Sequence, residues 1–301
     1  MQSPTSVHLG YDNAEGPKVA LFLGKEEGLF RKYDIDLSVE RVSPVRLGIP
    51  KLLSGAIQFL LGNSGPVIEA IALQQKKLAV IASLGPAYFA IYTRATIKRV
   101  DELRNKTFGV STPGASQDKI ARQALKRLGL EPDKDIQIVA TGFNNSHDRL
   151  RILAKGEVDA VTAAAGDFLE LDALGVEAGK VRKLVDLADL GIYVSGSDVA
   201  VTRDYIHEHR ESVSFFLKAL EESVQFAQER PDRVGETYSK YLNIANAQIL
   251  EHKVKEYYKG QPLRRPLPDK EAIRSHIEEL KEKYPHMRLF DVSAFIDESL
   301  L

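Results

Sequence analysis

Short apolar runs alternate with amphipathic stretches of helical length through the first two-thirds of the sequence, and this alternation constrains the fold more than any other feature. Residues 7–11, 35–39 and 57–61 have the length and the apolar content of strands. Strands that are separated by helices of 10–15 residues form βαβ units. The pattern therefore predicts an α/β fold with mixed, mostly parallel sheets that carry helices on both faces.

A second round of the same alternation begins near Phe89, and after Thr202 the pattern is helical to the end of the chain. We predict a helix at residues 19–30 that ends at Gly28, and a last helix at residues 292–301. Two α/β units and a helical tail fit two domains in series. They fit equally well two lobes between which the chain crosses twice, and the residue pattern does not choose between these arrangements.

Composition excludes several classes of protein. The 301 residues include 41 Lys and Arg against 42 Asp and Glu, so the net charge of −1 lacks the basic excess of a nucleic-acid-binding protein. The absence of cysteine excludes disulfides, Cys-ligated metals and a thiol nucleophile. No apolar run approaches the ~18 residues of a membrane-spanning helix. No phosphate-loop or dinucleotide-binding motif is present, so we expect neither a metal nor a cofactor.

Ligands of open α/β sheets bind beyond the carboxyl ends of the strands, where loops lead into helices. Glycines and small hydroxyl residues at a helix start expose backbone N–H groups, which accept carboxylate, sulfonate or phosphate oxygens. The alternative is that Ser64 and Ser116 are only N-caps and that the glycines are turn residues. The candidate ligand-binding residues in three such loops are Tyr11, Asp12, Asn13, Asn63, Ser64, Thr112, Gly114, Ser116 and Gln117.

Four further residues are candidates for ligand contacts. His147 could donate to an anion or stand solvated in a first helical turn, and Asp167 could accept a hydrogen bond from a ligand or cap a helix. Arg46 could bind an anion through two N–H groups of its guanidinium, or it could be solvated at a helix start. The ring of Tyr193 could stack on a planar ligand, as could that of Tyr11, or either ring could pack in a core or hinge.

Five segments together resemble one family of transport proteins. They lie in register over about residues 5–240 and comprise GYD at 10–12 with LFLGKEEGLF at 21–30, LSGAIQF at 53–59, VDELRNKTFGV at 100–110, AKGEVDA at 154–160 and VTRDYI at 201–206. The sequence is similar to ABC-transporter solute-binding proteins of the nitrate/sulfonate/taurine (NMT1/THI5-like) type, which includes pyrimidine and flavin binders.

The resemblance implies a type II periplasmic-binding-protein fold with a ligand cleft between two lobes. One lobe would comprise residues 1–89 and 198–301, and the other residues 90–197. It also implies a non-enzymatic protein that hands a small organic anion, a sulfonate or carboxylate with an aromatic portion or without one, to a membrane permease. A heteroaromatic ligand is the alternative. The competing functions are a ligand-sensing module and an enzyme on the same fold, such as a pyrimidine synthase or a desulfinase. Those enzymes depend on cysteine, or on histidine with cysteine, and this chain has no cysteine.

We recognise no signal-peptide pattern in the first residues given, Met1-Gln2-Ser3-Pro4. Either the protein is cytosolic or the sequence is a mature chain with an added Met. Since the family is exported, we expect a periplasmic or otherwise extracytoplasmic protein, a monomer, that works with an ABC permease and does not bind nucleic acid.

Overall fold

The computed structural model describes residues 4–114, 116–143, 146–164, 171, 176–258 and 265–300. The chain divides into two compact units, of which the first contains residues 1–87 and 194–301 and the second residues 88–193. Each unit is built on a five-stranded sheet.

The strands and helices of the first unit come from both ends of the chain. Its strands are β1 (Thr5–Tyr11), β2 (Ile35–Arg41), β3 (Phe59–Gly62), β4 (Leu78–Ser83), β5 (Pro86–Ala87), β11 (Val194–Ser195) and β12 (Asp198–Thr202). Its helices are α1 (Val19–Glu26), α2 (Leu29–Lys32), α3 (Gly48–Leu53), α4 (Gly65–Gln74), α7 (Arg203–Glu208), α8 (Arg210–Glu229), α9 (Pro231–Leu242), α10 (Ala247–Tyr257) and α11 (Lys270–Lys283). The short strands β5 and β11 pair with each other where the chain leaves and re-enters this unit.

The large sheet of the first unit has the order β2-β1-β3-β12-β4. Strand β1 runs parallel to β2 and β3, whereas β12 runs antiparallel to both β3 and β4. Four strands therefore run in one direction, and the carboxyl ends of β1 to β4 share one edge with the amino end of β12. Every residue of β4 is buried, as expected for a strand that is covered on both faces.

The helical tail packs on the first unit. Helix α8 lies so close to α1 that a Cβ on Gly24 would stand 1.8 Å from Ser223 Oγ, so glycine is required for this approach. Two tyrosines of the tail fix the loop that precedes α1. Tyr238 donates through its hydroxyl to the carbonyl of Gly16 at 2.6 Å, and Tyr258 donates to Pro17 at 2.7 Å.

The second unit repeats the plan with its own strands. Its elements are β6 (Phe89–Arg94), β7 (Thr107–Val110), α5 (Ser116–Arg127), β8 (Gln137–Ala140), α6 (Ser146–Lys155), β9 (Ala160–Ala164) and β10 (Val181–Asp186). The sheet order is β10-β6-β9-β7-β8, with β7 parallel to β8 and β9 and with β6 antiparallel to β9 and β10. In each unit, the one reversed strand adjoins a segment where the chain passes between the units.

The structure differs from the sequence predictions at three places. The predicted helix at 292–301 is wrong: only a 3-10 turn forms at Val292–Ala294, because the next residues bond to the edge of β4, where Val80 donates to Phe295 O at 2.8 Å. Helix 19–30 is divided, since Gly28 adopts a left-handed φ of 75° between α1 and α2. Strand β12, which lies between β3 and β4, was not predicted. Within the described ranges, no helix has the length and apolarity to cross a membrane.

Candidate functional site

Loops at the carboxyl edge of the first sheet hold six of the sequence-predicted residues. Three of them, Tyr11, Asp12 and Asn13, lie at the end of β1 and just after it. Asn63 and Ser64 join β3 to α4, and Arg46 lies in the turn that follows β2. The register of the sheet therefore brings these three loops to one edge, as predicted from the position of loops in α/β sheets.

An ion pair organises the loop after β1. Lys18 Nζ lies 2.8 Å from Asp12 Oδ1 and donates to Asn13 Oδ1 at 2.8 Å. The side chains of Lys18 and Asp12 are only 6% and 16% exposed, so this pair is largely withdrawn from water. The Asp12 and Asn13 oxygens are thus already engaged within the protein, and the loop is held in one conformation.

Tyr11 and Arg46, which also lie at this edge, differ in exposure. The ring of half-buried Tyr11 packs edge-on against Phe22 with 4.8 Å between centroids, which is the core-packing role and not a stacking platform. Arg46 is exposed, and no residue of the described ranges forms an ion pair with it. Its guanidinium is therefore a positive charge at the sheet edge that is accessible to an anion.

The loop between β3 and α4 is held by side-chain hydrogen bonds. Asn63 Oδ1 accepts from the N–H of Gly65 at 2.7 Å, so this side chain caps the start of the helix. Ser64 takes no such role. Both its N–H and its Oγ lie 3.0 Å from Ser195 Oγ, to which they donate, and the residue is 2% exposed. Ser64 occupies the N-cap position without a capping bond, and Asn63, one residue earlier, supplies the side-chain bond to the helix start.

Asp198 completes this edge at the start of β12. It is 2% exposed and lies opposite Gly62 and Ser83 in the register of the sheet. Ser195 donates to Asp198 Oδ2. Burial raises the pKa of the Asp198 carboxyl, and hydrogen bonds from serine side chains, that of Ser195 first, only partly oppose this effect.

In the second unit, the loop after β7 leads into α5. Thr112 and Gly114 are exposed, and Gly114 adopts a left-handed φ of 80°. Its N–H donates to Asp118 Oδ2 at 2.7 Å, so a carboxylate of the chain itself already occupies one donor of this helix start. Ser116 is the first residue of α5, and Gln117 accepts through Oε1 from Thr162 at 2.8 Å.

A fully buried guanidinium organises the neighbouring loop, which follows β8. Arg149 is 0% exposed and donates through Nε to Thr162 O at 3.0 Å and through Nη1 to Phe143 O at 3.1 Å. Its Nη2 lies 3.4 Å from Ser146 Oγ, which in turn accepts from Ala164 N at 3.2 Å. Arg149 thus ties the start of α6 to the carboxyl end of β9 and adds a permanent positive charge behind this edge.

The last three predicted residues are His147, Tyr193 and Asp167. His147 is half-buried in the first turn of α6, and Tyr193, which is 45% exposed, is the last residue of the second unit. Asp167 lies outside the described residues. Within the residues that the structure describes, no group of three His, Asp or Glu side chains could hold a metal ion.

Sequence reasoning missed four side chains that organise the two edges, namely Lys18, Arg149, Ser195 and Asp198. A signal existed for two of them. Arg149 stands four residues before Leu153 on the apolar face of α6, and Asp198 directly precedes three apolar residues of a buried strand. A lone charge on an apolar face indicates a buried polar network, because a charge is buried only when it is paired or neutralised.

Comparison with known proteins identifies the family of the chain. Residues 18–234 match the family model described as NMT1/THI5 like, which confirms the resemblance seen in the sequence motifs. A search of curated proteins finds no match.

Solved structures show the same fold at low sequence identity. The periplasmic aliphatic sulphonate binding protein SsuA from Escherichia coli matches with a TM-score of 0.76 and 20% identity over 98% of this chain and 93% of that chain. The periplasmic nitrate-binding protein NrtA from Synechocystis PCC 6803 matches with a TM-score of 0.68 and 14% identity over 99% of this chain and 87% of that chain.

A product of Candida albicans, CA3427, which is described as having the generic periplasmic binding protein fold, matches with a TM-score of 0.68 and 18% identity over 98% of this chain and 96% of that chain. These similarities confirm the predicted two-lobe α/β fold of periplasmic binding proteins. Because the family model spans more than half of the sequence, the chain belongs to the NMT1/THI5-like family.

Proposed function

We propose that this protein is a non-enzymatic solute-binding protein that captures a small organic anion, a sulfonate or carboxylate, and delivers it to an ABC permease outside the cytoplasm. The observation that carries the proposal is the exposed guanidinium of Arg46, which forms no ion pair with any described residue and lies at a sheet edge rich in helix starts. The names of two similar structures, a sulphonate-binding and a nitrate-binding protein, support an oxyanion as the ligand.

The proposal assigns anion recognition to one edge in each unit. In the first unit, Arg46 supplies a full charge and α4 a partial positive charge at its N-terminus. In the second unit, the exposed Thr112 supplies a hydroxyl beside the start of α5, and the charge of Arg149 lies behind the loop after β8.

The lobes are proposed to be residues 1–89 with 198–301, and residues 90–197.

A thermal-shift screen tests the proposal most directly. The compounds are alkanesulfonates, carboxylates, nitrate, pyrimidines and flavins, each with the purified chain. A ligand present at 100 times its dissociation constant stabilises a protein by about 2.7 kcal/mol, which gives a clear rise in melting temperature. We expect a shift with sulfonates or carboxylates. Turnover of any of these compounds, without a shift, would contradict the proposal and favour an enzyme.

A pair of threonine variants tests the edge of the second unit. Thr112→Asp places a negative charge beside the start of α5, so the affinity for an anion should fall about tenfold. Thr96→Asp is the matched control, because Thr96 is also exposed but follows β6 at the opposite edge of the same sheet. Equal affinities in the two variants would remove the loop after β7 from the binding site.

A further inference from the structure

Four polar side chains form a buried cluster in the first unit that the sequence motifs do not explain. Ser64, Ser83, Ser195 and Asp198 are 2%, 6%, 8% and 2% exposed, respectively. They come from four different segments, which are the start of α4, β4, β11 and β12. We refer to these four residues as the serine–aspartate cluster.

The hydrogen bonds of Ser195 fix the direction of the protons in this cluster. A serine hydroxyl has one proton to donate and two lone pairs to accept with. Ser195 Oγ accepts from the N–H and from the Oγ of Ser64, both at 3.0 Å, and donates its proton to Asp198 Oδ2. Its capacity is therefore fully used, and it links Ser64 at the helix start to the buried carboxyl.

The two other oxygens of the cluster have no partner within the described chain. These are Asp198 Oδ1 and Ser83 Oγ, which belong to directly opposed residues of β12 and β4. A buried polar atom without a hydrogen bond is costly. These two atoms can satisfy each other in either direction, since Ser83 can donate to a carboxylate and a carboxylic acid can donate to Ser83, so the protonation of Asp198 is decided by its surroundings.

The surroundings of Asp198 favour the neutral acid. Within the described residues no Lys, Arg or His lies at ion-pair distance from it. The negative charge of Asp269, just before α11, raises the pKa of Asp198 further. The other charged groups of this region are paired among themselves. His276 of α11 lies 4.0 Å from Glu69 of α4 and 3.4 Å from Glu279 of α11. Lys18 pairs with Asp12, whose side chain lies near Gly62.

We propose that neutral Asp198 is a positioning residue for the anionic ligand: through Ser195 it holds Ser64 at the start of α4, and loss of its proton weakens anion binding. The proposal rests on the proposed function and adds regulation by pH to it. An ionised Asp198 would place a full negative charge behind the N-terminus of α4. That charge would cancel the partial positive charge of the helix end and repel the ligand.

The experiment measures affinity for ethanesulfonate and for nitrate by calorimetry between pH 5 and pH 9, where both probes stay ionised. We expect the affinity of the wild-type protein to fall about tenfold as Asp198 loses its proton. Asp198→Asn keeps the shape of the neutral acid, so it should bind as the wild type does at low pH and show no such fall. Asp204→Asn, in an exposed ion pair with Lys77, is the control and should keep the wild-type profile.

Two further measurements do not depend on the Asn variant. Carbon-13 NMR of the ligand-free wild type should show the Asp198 carboxyl protonated at pH 5, and Ser195→Ala should weaken anion binding at that pH. An ionised Asp198 at pH 5, or a wild-type pH profile in Asp198→Asn, would overturn the inference while anion binding stands. If neither probe binds at any pH, the proposed function fails for these anions, and the positioning role fails with it.

Discussion

The sheet edges of the two units are organised around buried groups of opposite chemistry. In the first unit, Asp198 accepts from a serine network, and in the second, Arg149 ties the loop after β8 to strand β9. Both residues are almost completely buried, and both join a helix start to the end of a strand. The contact between a helix start and a strand end thus depends on an acidic residue in the first unit and on a basic residue in the second.

The difference lies in what each group does with its charge. A guanidinium cannot lose its proton in a protein, so Arg149 must satisfy its N–H groups with carbonyls such as those of Thr162 and Phe143. A carboxyl can become neutral, and burial raises the pKa of Asp198 in that direction. The second unit therefore carries a permanent positive charge near its edge, whereas the charge in the first unit depends on pH.

The largest effect is expected from removal of the buried base. Arg149→Met keeps the length of the side chain but leaves buried carbonyls without donors, so the free energy of unfolding should fall by about 3 to 5 kcal/mol. Arg149→Lys should recover little of this loss, because an ammonium cannot reach the same fork of acceptors. Urea denaturation measures both values.

Arg151→Met is the control for this experiment. Arg151 lies two residues away on the same helix, is 46% exposed and pairs with Asp148 at 2.7 Å. Its removal should change the free energy of unfolding by less than about 0.5 kcal/mol. If Arg149→Met were as mild, the guanidinium would not be the organising group of the second edge.

The pair of Lys18 and Asp12 should give the next largest effect. Lys18→Met removes the partner of a largely buried carboxylate, which should cost about 2 to 3 kcal/mol of stability. Lys51→Met breaks a pair with Glu40 at the same 2.8 Å, but these side chains are 45% and 31% exposed. The second change should therefore cost less than about 0.5 kcal/mol. Equal melting temperatures for the two variants would contradict the assigned role of Lys18.

The stability of the protein should depend on the protonation of Asp198. Because its pKa is raised in the folded state, the folded protein binds this proton more tightly than the unfolded chain does. The contribution of Asp198 to the free energy of unfolding is thus fully present below its ordinary pKa of 3.8, and it is lost as the pH rises through the raised pKa of the folded state. The loss amounts to about 1.4 kcal/mol for each unit of pKa shift.

Asp198→Asn removes this titration. Its free energy of unfolding relative to that of the wild type should therefore rise with pH across the same window and then become constant. Denaturation of both proteins at several pH values between 4 and 9 measures the difference. A constant difference over the whole range would show that Asp198 is ionised in the fold, as Arg149 is.

The sequence predicts where these edges lie better than what holds them together. The alternation of strands and helices places Asn63 and Thr112 in loops at the carboxyl ends of strands, because such loops follow from local periodicity alone. The place of strand β12 in the sheet, between β3 and β4, could not be predicted, because it is set by a long-range crossover. The partnership of Ser64 with Ser195 spans 131 positions, and no local pattern encodes it.

The smallest effect tests the difference between capping and ligand binding at Asn63. Asn63→Ala removes the oxygen that accepts from Gly65 N, so stability should fall by about 1 kcal/mol. Asn63→Asp keeps a capping oxygen and places a negative charge at a helix start, so stability should be retained. If the edge of the first unit binds an anion, the same Asp variant should bind it about tenfold more weakly. Urea denaturation and calorimetry of both variants separate the two roles. If Asn63 only caps the helix, Asn63→Ala loses stability and Asn63→Asp changes neither stability nor affinity. If the edge also binds an anion, Asn63→Asp loses affinity for that anion.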